Sequence, residues 1–149
     1  MRVYLDNNYP KNLAEALQLI HGLQYPRKFE IIRTQQFDES DITNSVVFLF
    51  DRSKKGLDIV TEKHYESGYK IFAFKSHSTD KIDLFELSLC ILKLWPRILT
   101  TIVEETEPYV YTYNYNGKSL VKAKGREQDI ATVGITQGNQ EPAKTSNSS

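Results

Sequence analysis

The chain has 149 residues, with 19 basic and 19 acidic side chains and no net charge; it is one domain's worth of protein, able to bury roughly two thirds of its unfolded surface. A zero balance excludes a global field drawing the molecule onto nucleic acid or membrane, so any contact with a polyanion must come from a local patch. The single cysteine, Cys90, excludes a disulfide scaffold or a cysteine-rich zinc site and points to a reducing, cytoplasmic setting.

The opening Met1-Arg2-Val3-Tyr4-Leu5-Asp6 meets an acid after three apolar residues, far short of a signal peptide, and no later run approaches the ~18 apolar residues of a membrane span. A soluble protein with no membrane partner is expected. Val3-Tyr4-Leu5 reads as a strand buried on both faces. Pro10 then stands at a first helical position, and Leu13, Leu17 and Ile20 recur at helical spacing until Gly22. Phe29 to Phe37 supplies a second strand, and Asp38-Glu39-Ser40-Asp41 breaks it. Ile42 to Ser45 is expected to make a short helical turn into the strand Val46 to Phe50, which ends at Asp51.

Beyond Asp51 a basic loop, Arg52 to Lys55, runs to Gly56, and Leu57, Val60 and Tyr65 mark a short helix closed by Gly68. Ile71-Phe72-Ala73-Phe74 is a fourth buried strand. Ile82 to Val103 carries the longest helical periodicity, and Pro96 is expected to kink it or restart a second helix. From Pro108 the period changes to two: Tyr109, Tyr111, Tyr113 and Tyr115 share one face, and Asn116-Gly117 signals a hairpin returning through Leu120-Val121. Four tyrosines in a row can stack bases, but a face that covers the core or a partner is the simpler reading. Residues 125–149 hold few large apolar side chains and are expected to be a disordered tail behind a domain of residues 1–124. Strands alternating with helices give an α/β fold with a mainly parallel sheet covered on both faces and a C-terminal β-hairpin.

In such sheets ligands gather beyond the carboxyl ends of the strands. The expected acids there are Asp6 after the first strand, Asp38 or Asp41 after the second and Asp51 after the third. Converging carboxylates without matching arginines repel one another, and a hard cation such as Mg2+ or Mn2+ relieves the repulsion. Such an ion polarises a phosphodiester and acidifies a bound water, while Arg52, Lys54 and Lys55 could hold RNA phosphates. Against this stands the plainer account in which strand-end acids such as Asp51 or Asp58 cap helices and basic turns are merely solvated. His21, His64 and His77 follow no metal-ligand spacing and are assigned no role.

Val3-Tyr4-Leu5-Asp6-Asn7-Asn8, the Leu- and Ala-rich helix behind it, the acidic Asp38 to Asp41 segment and Phe48-Leu49-Phe50-Asp51-Arg52 together resemble the PIN-like domains, in the small prokaryotic branch allied to VapC-type toxins and Mut7-C proteins. Glu66-Ser67-Gly68-Tyr69-Lys70-Ile71-Phe72, the Trp95 helix and the tyrosine hairpin fit the same branch, so the resemblance covers roughly residues 2–123. It implies a three-layer α/β/α fold and a metal-dependent ribonuclease, the toxin of a toxin-antitoxin pair, with RNA and an antitoxin protein as partners and a homodimer as an open option. Asp6 would be the first metal-binding acid, Asp41 (or Asp38) the second and Asp51 the third. Fully equipped PIN nucleases carry four acids, whereas here strand four ends in Phe74-Lys75, with Asp80 and Asp83 only nearby. Two other readings stay open: a PIN-like module that binds without catalysing, and a phosphoacceptor domain of the response-regulator kind. The second lacks the adjacent acid pair, having Asn7 and Asn8 instead.

Overall fold

The computed structural model describes residues 1–25, 28–50, 53–75, 83–114 and 118–125. Each apolar run identified above forms a strand: β1 (Arg2–Leu5), β2 (Glu30–Arg33), β3 (Ser45–Leu49), β4 (Lys70–Phe74) and β5 (Tyr109–Tyr113), joined by a last strand β6 (Val121–Gly125). Three helices connect them: α1 (Leu13–Gln24), α2 (Lys54–Glu66) and α3 (Leu84–Glu104). The sheet order is β2-β1-β3-β4-β5-β6. All pairs are parallel except the β5-β6 hairpin, which is antiparallel with a register shift between Val110 and Tyr111.

Every residue of β3 and β4 is buried, which is why these strands read as unbroken apolar runs instead of alternating ones. Alternation reappears in what each side chain meets. Val3, Leu5, Val46, Phe48, Phe72, Tyr109 and Tyr113 pack with Leu13 and Leu17 of α1 and Leu87, Ile91, Trp95 and Ile98 of α3. Tyr4, Val47, Leu49, Ile71, Ala73 and Val110 pack with Leu57 and Tyr65 of α2. Helices therefore cover both faces of the sheet. Phe48 is fully buried at the centre, stacked on Phe72 at 5.0 Å and edge-on to Tyr9 and Tyr113.

Several local expectations are corrected. Lys54, Lys55 and Gly56 are the first turn of α2 and not a loop, because the Ser53 hydroxyl accepts the Gly56 N–H at 2.9 Å and starts the helix there. Helix α3 runs unbroken through Pro96 instead of restarting; Leu94, Trp95, Ile98 and Leu99 are all buried on either side of it, and their packing outweighs the roughly 3 kcal/mol that an interior proline costs. Strand β2 stops at Arg33, since the Thr34 hydroxyl accepts the Gln36 N–H and turns the chain. The helical turn before β3 is a 3-10 stretch, Glu39–Asn44, that begins earlier than expected and is capped by Asp38. Gly68 closes α2 at a φ of 99°, while Tyr69 N–H reaches His64 O at 3.1 Å, a wrap that a residue with a Cβ would strain. The hairpin forms as anticipated, with its Asn116-Gly117 turn outside the described residues, as is the tail beyond Gly125. Tyr109 and Tyr113 lie in the core and Tyr111 packs against it, so these three line the protein interior instead of offering a stacking platform.

The two margins of the sheet are managed differently. On the β2 side, the Gln18 side chain of α1 donates to Phe29 O and accepts the Ile31 N–H, each at 2.9 Å. On the β6 side, Lys122 pairs with Glu105 at 3.2 Å and Lys124 with Glu62, an edge rich in lysine that resists pairing with another strand. Among the described residues no helix is long and apolar enough to cross a membrane.

Because the Phe48 ring meets Tyr9, Phe72, Trp95 of α3 and Tyr113 of β5, Phe48→Ala should cost about 3–5 kcal/mol. A urea titration should show a lower midpoint with an unchanged slope.

Candidate functional site at the carboxyl edge

The order β2-β1-β3 sets the point where connections diverge between β1 and β3, and in open α/β sheets ligands bind beyond the carboxyl ends at such a point. Asp6 occupies it. Its N–H extends the ladder to Phe48 O at 3.1 Å. Its carboxylate then turns across to β3: Oδ2 accepts the Phe50 N–H at 2.6 Å, and Oδ1 accepts the Asn8 N–H at 2.9 Å. The Asn8 side chain returns the grip, donating from Nδ2 to Phe50 O at 2.6 Å. Asp51 is the next residue in the sequence and, like Arg52, lies outside the described residues.

Beneath this contact runs a buried polar chain. The Tyr9 hydroxyl donates to Leu49 O at 3.1 Å and meets the Tyr113 hydroxyl. Burial pushes both phenols well above the ordinary tyrosine range, so both stay protonated. With Tyr9 donating to Leu49, Tyr113 supplies the proton of the shared contact. From the β2 side, Arg33 donates to Tyr9 O at 3.0 Å and to Asn7 O at 2.7 Å, fixing the loop between β1 and α1. Below Tyr113, Cys90 Sγ lies 2.7 Å from Asn114 O. No spacing marks Tyr9 or Arg33, and Asn8 and Tyr113 enter the sequence reading only as part of the strand-end motif and of the tyrosine row, because the long-range contacts through which they act, to Leu49 O, Asn7 O, Phe50 O and the Tyr9 hydroxyl, follow no sequence pattern.

Asp38 and Asp41 are not brought to this edge. Asp38 accepts a hydrogen bond from Arg2 Nη1 at 2.9 Å, and Arg2 opens β1, in register with Ser45 at the start of β3. The Asp41 carbonyl accepts the Ser45 hydroxyl at 2.7 Å. Both acids therefore belong to the amino edge, a strand length of four residues, or ~13 Å, from Asp6. The cause is the path of the chain, which recrosses the sheet after β2 and caps the 3-10 stretch at its far side. Hydrogen bonds from the Ser40 hydroxyl and N–H, then Arg2, hold Asp38 below the usual carboxylate range. Among the described residues no group of three or more His, Cys, Asp or Glu converges in a way that could hold a metal ion. Lys55 is exposed in the first turn of α2, and Lys54 precedes it.

A carboxylate oxygen has two lone pairs, so an accepted N–H and a cation are compatible on the same atom. Asp6 fits a divalent ion on that count. Asp38, paired with Arg2, and Asp41, on the same far edge, do not fit a shared centre with it.

The two histidines among the described residues serve packing. His21 is buried, stacked on Phe29 at 4.7 Å and accepting the Trp95 indole N–H at 3.3 Å. His64 lies against Phe37 and Tyr69, and His77 is outside the described residues.

Removing the carboxylate in Asp6→Ala takes the acceptor from the Phe50 N–H and should cost about 1–3 kcal/mol, with faster hydrogen exchange at the Phe50 amide. Desolvation lowers the His64 pKa from 6.5. The unfolded chain thus binds the proton more readily, and stability is complete above pH 6.5 and falls as pH drops from there toward the folded value. His64→Gln should flatten that acid-side slope in melting curves between pH 7 and 5 (roughly the window around an ordinary histidine). Compared with known proteins, the chain matches no family model, no curated protein and no solved structure.

Proposed function

We propose that this chain is a PIN-like protein acting as a Mg2+- or Mn2+-dependent ribonuclease, the toxin of a toxin-antitoxin pair, with its site at the carboxyl edge between β1 and β3. The observation that carries this reading is the hydrogen bond from the Phe50 N–H to the Asp6 carboxylate, which fixes the residue before Asp51 against the acid that ends β1. Asp6 and Asp51 would hold the ion. When bound, such an ion polarises a phosphodiester and makes a water nucleophilic near neutral pH. The chain's own share is to fix Asp6 by two backbone N–H groups and to offer cations for phosphate. Lys55 stands in the first turn of α2, with Lys54 beside it, where the helix N-terminus also favours an anion; Arg52 precedes them in sequence.

A second reading, a PIN-like module that binds without cleaving, is favoured by one observation: Asp38 and Asp41 lie on the amino edge, so among the described residues only Asp6 of the expected acids stands at the carboxyl edge. The receiver-like reading gains from the strand order β2-β1-β3-β4-β5, which such domains share. It is weakened by Asn7-Asn8 after β1 and by Asn114, not lysine, after β5.

Calorimetric titration with Mn2+ and cleavage of a labelled RNA pool separate these readings. The parent should bind Mn2+ and cut RNA only with the metal, and Asp6→Asn and Asp51→Asn should lose both. RNA retention with no cleavage by any variant supports the binding module. A mass gain of one phosphoryl group at Asp51 with acetyl phosphate supports the receiver.

A further inference from the structure

We propose that Asn8, Tyr9 and Tyr113 are positioning residues that set where the Asp6 carboxylate stands against the end of β3; this rests on the reading of Asp6 as a cation ligand. Asp6 does not define that geometry alone. One of its oxygens follows its own loop through Asn8 N–H, and the other follows Phe50 N–H. The separation of those two donors is therefore what orients the carboxylate, and it is controlled by whatever ties the loop to residues 49 and 50. Two side chains of the loop do so at consecutive carbonyls: Tyr9 to Leu49 O and Asn8 to Phe50 O.

The Tyr9 tie is itself held from a distance. Tyr113 ends β5, and β4 lies between β5 and β3 in the sheet. Its hydroxyl nonetheless reaches Tyr9, so the pair spans β4 and links three carboxyl ends at once. The rings leave little room to adjust. Tyr9 is edge-on to Phe48 and Phe50, and Tyr113 to Phe74 and Phe48. Both are buried to within 2% of complete exclusion. A hydroxyl so confined transmits position, because its ring cannot swing to find another acceptor. Groups that orient a metal ligand typically affect metal affinity by 10- to 100-fold when removed.

The test compares Tyr113→Phe and Asn8→Ala with the parent and with Tyr111→Phe, which removes a hydroxyl bonded to Glu105 instead. Two readouts are taken on the full chain at one pH: Mn2+ affinity by calorimetry, and the NMR resonances of the Asp6 carboxyl carbon and the Phe50 amide without metal. Tyr113→Phe and Asn8→Ala should weaken Mn2+ binding about tenfold or more and move both resonances, while Tyr111→Phe does neither. Resonances that stay put in both variants, or that move as far in Tyr111→Phe, overturn the proposal. If the parent takes up no Mn2+, the ribonuclease reading fails by itself, and the resonances still decide whether these residues position Asp6.

Discussion

Two-sided burial of the central strands is the constraint on which this structure depends. With β3 and β4 wholly enclosed, no unpaired polar group can reside along them without a cost of several kcal/mol, so polar chemistry is expelled to the strand ends. The carboxyl edge receives an acid and two donating loops, and the amino edge receives Arg2, Asp38 and the capped 3-10 stretch. The division of polar groups between the two edges thus follows from the core and was not imposed on it.

At the carboxyl edge one carboxylate does two jobs. Asp6 ends β1, and by accepting the Phe50 N–H it also decides where β3 ends. A neutral acceptor could fill the second role more weakly, since a bond to an ionised group is roughly twice as strong as a neutral one. Structural need alone therefore accounts for an acid here, and the proposed ion binding would be an added use of the same charge.

The strands were legible because two-sided burial writes itself as runs such as Val46 to Phe50, and the hairpin because Tyr109, Tyr111 and Tyr113 keep a period of two. Position relative to the edges was not legible. Asp38 follows β2 and precedes β3, so its sequence neighbours fit either edge, and only the long-range bond to Arg2 decides the matter. The start of α2 lies earlier than its apolar residues indicate: Lys54, Lys55 and Gly56 read as a basic turn before Leu57, and the Ser53 to Gly56 contact makes them the first turn of the helix. Pro96 is the reverse case: a strong local breaker was overruled by apolar neighbours whose burial no window of sequence can measure.

The clasp formed by Gln18 joins an outer margin of the sheet to the interior of its fold. One end of α1 begins just after the Asp6 loop, and a residue midway along it occupies the backbone groups of β2. Fraying of that outermost strand would release Gln18, loosen the helix and slacken Arg33, whose donors steady the loop. Wear at the rim would then be felt at the carboxyl edge, which makes the integrity of a surface strand a condition for order at Asp6.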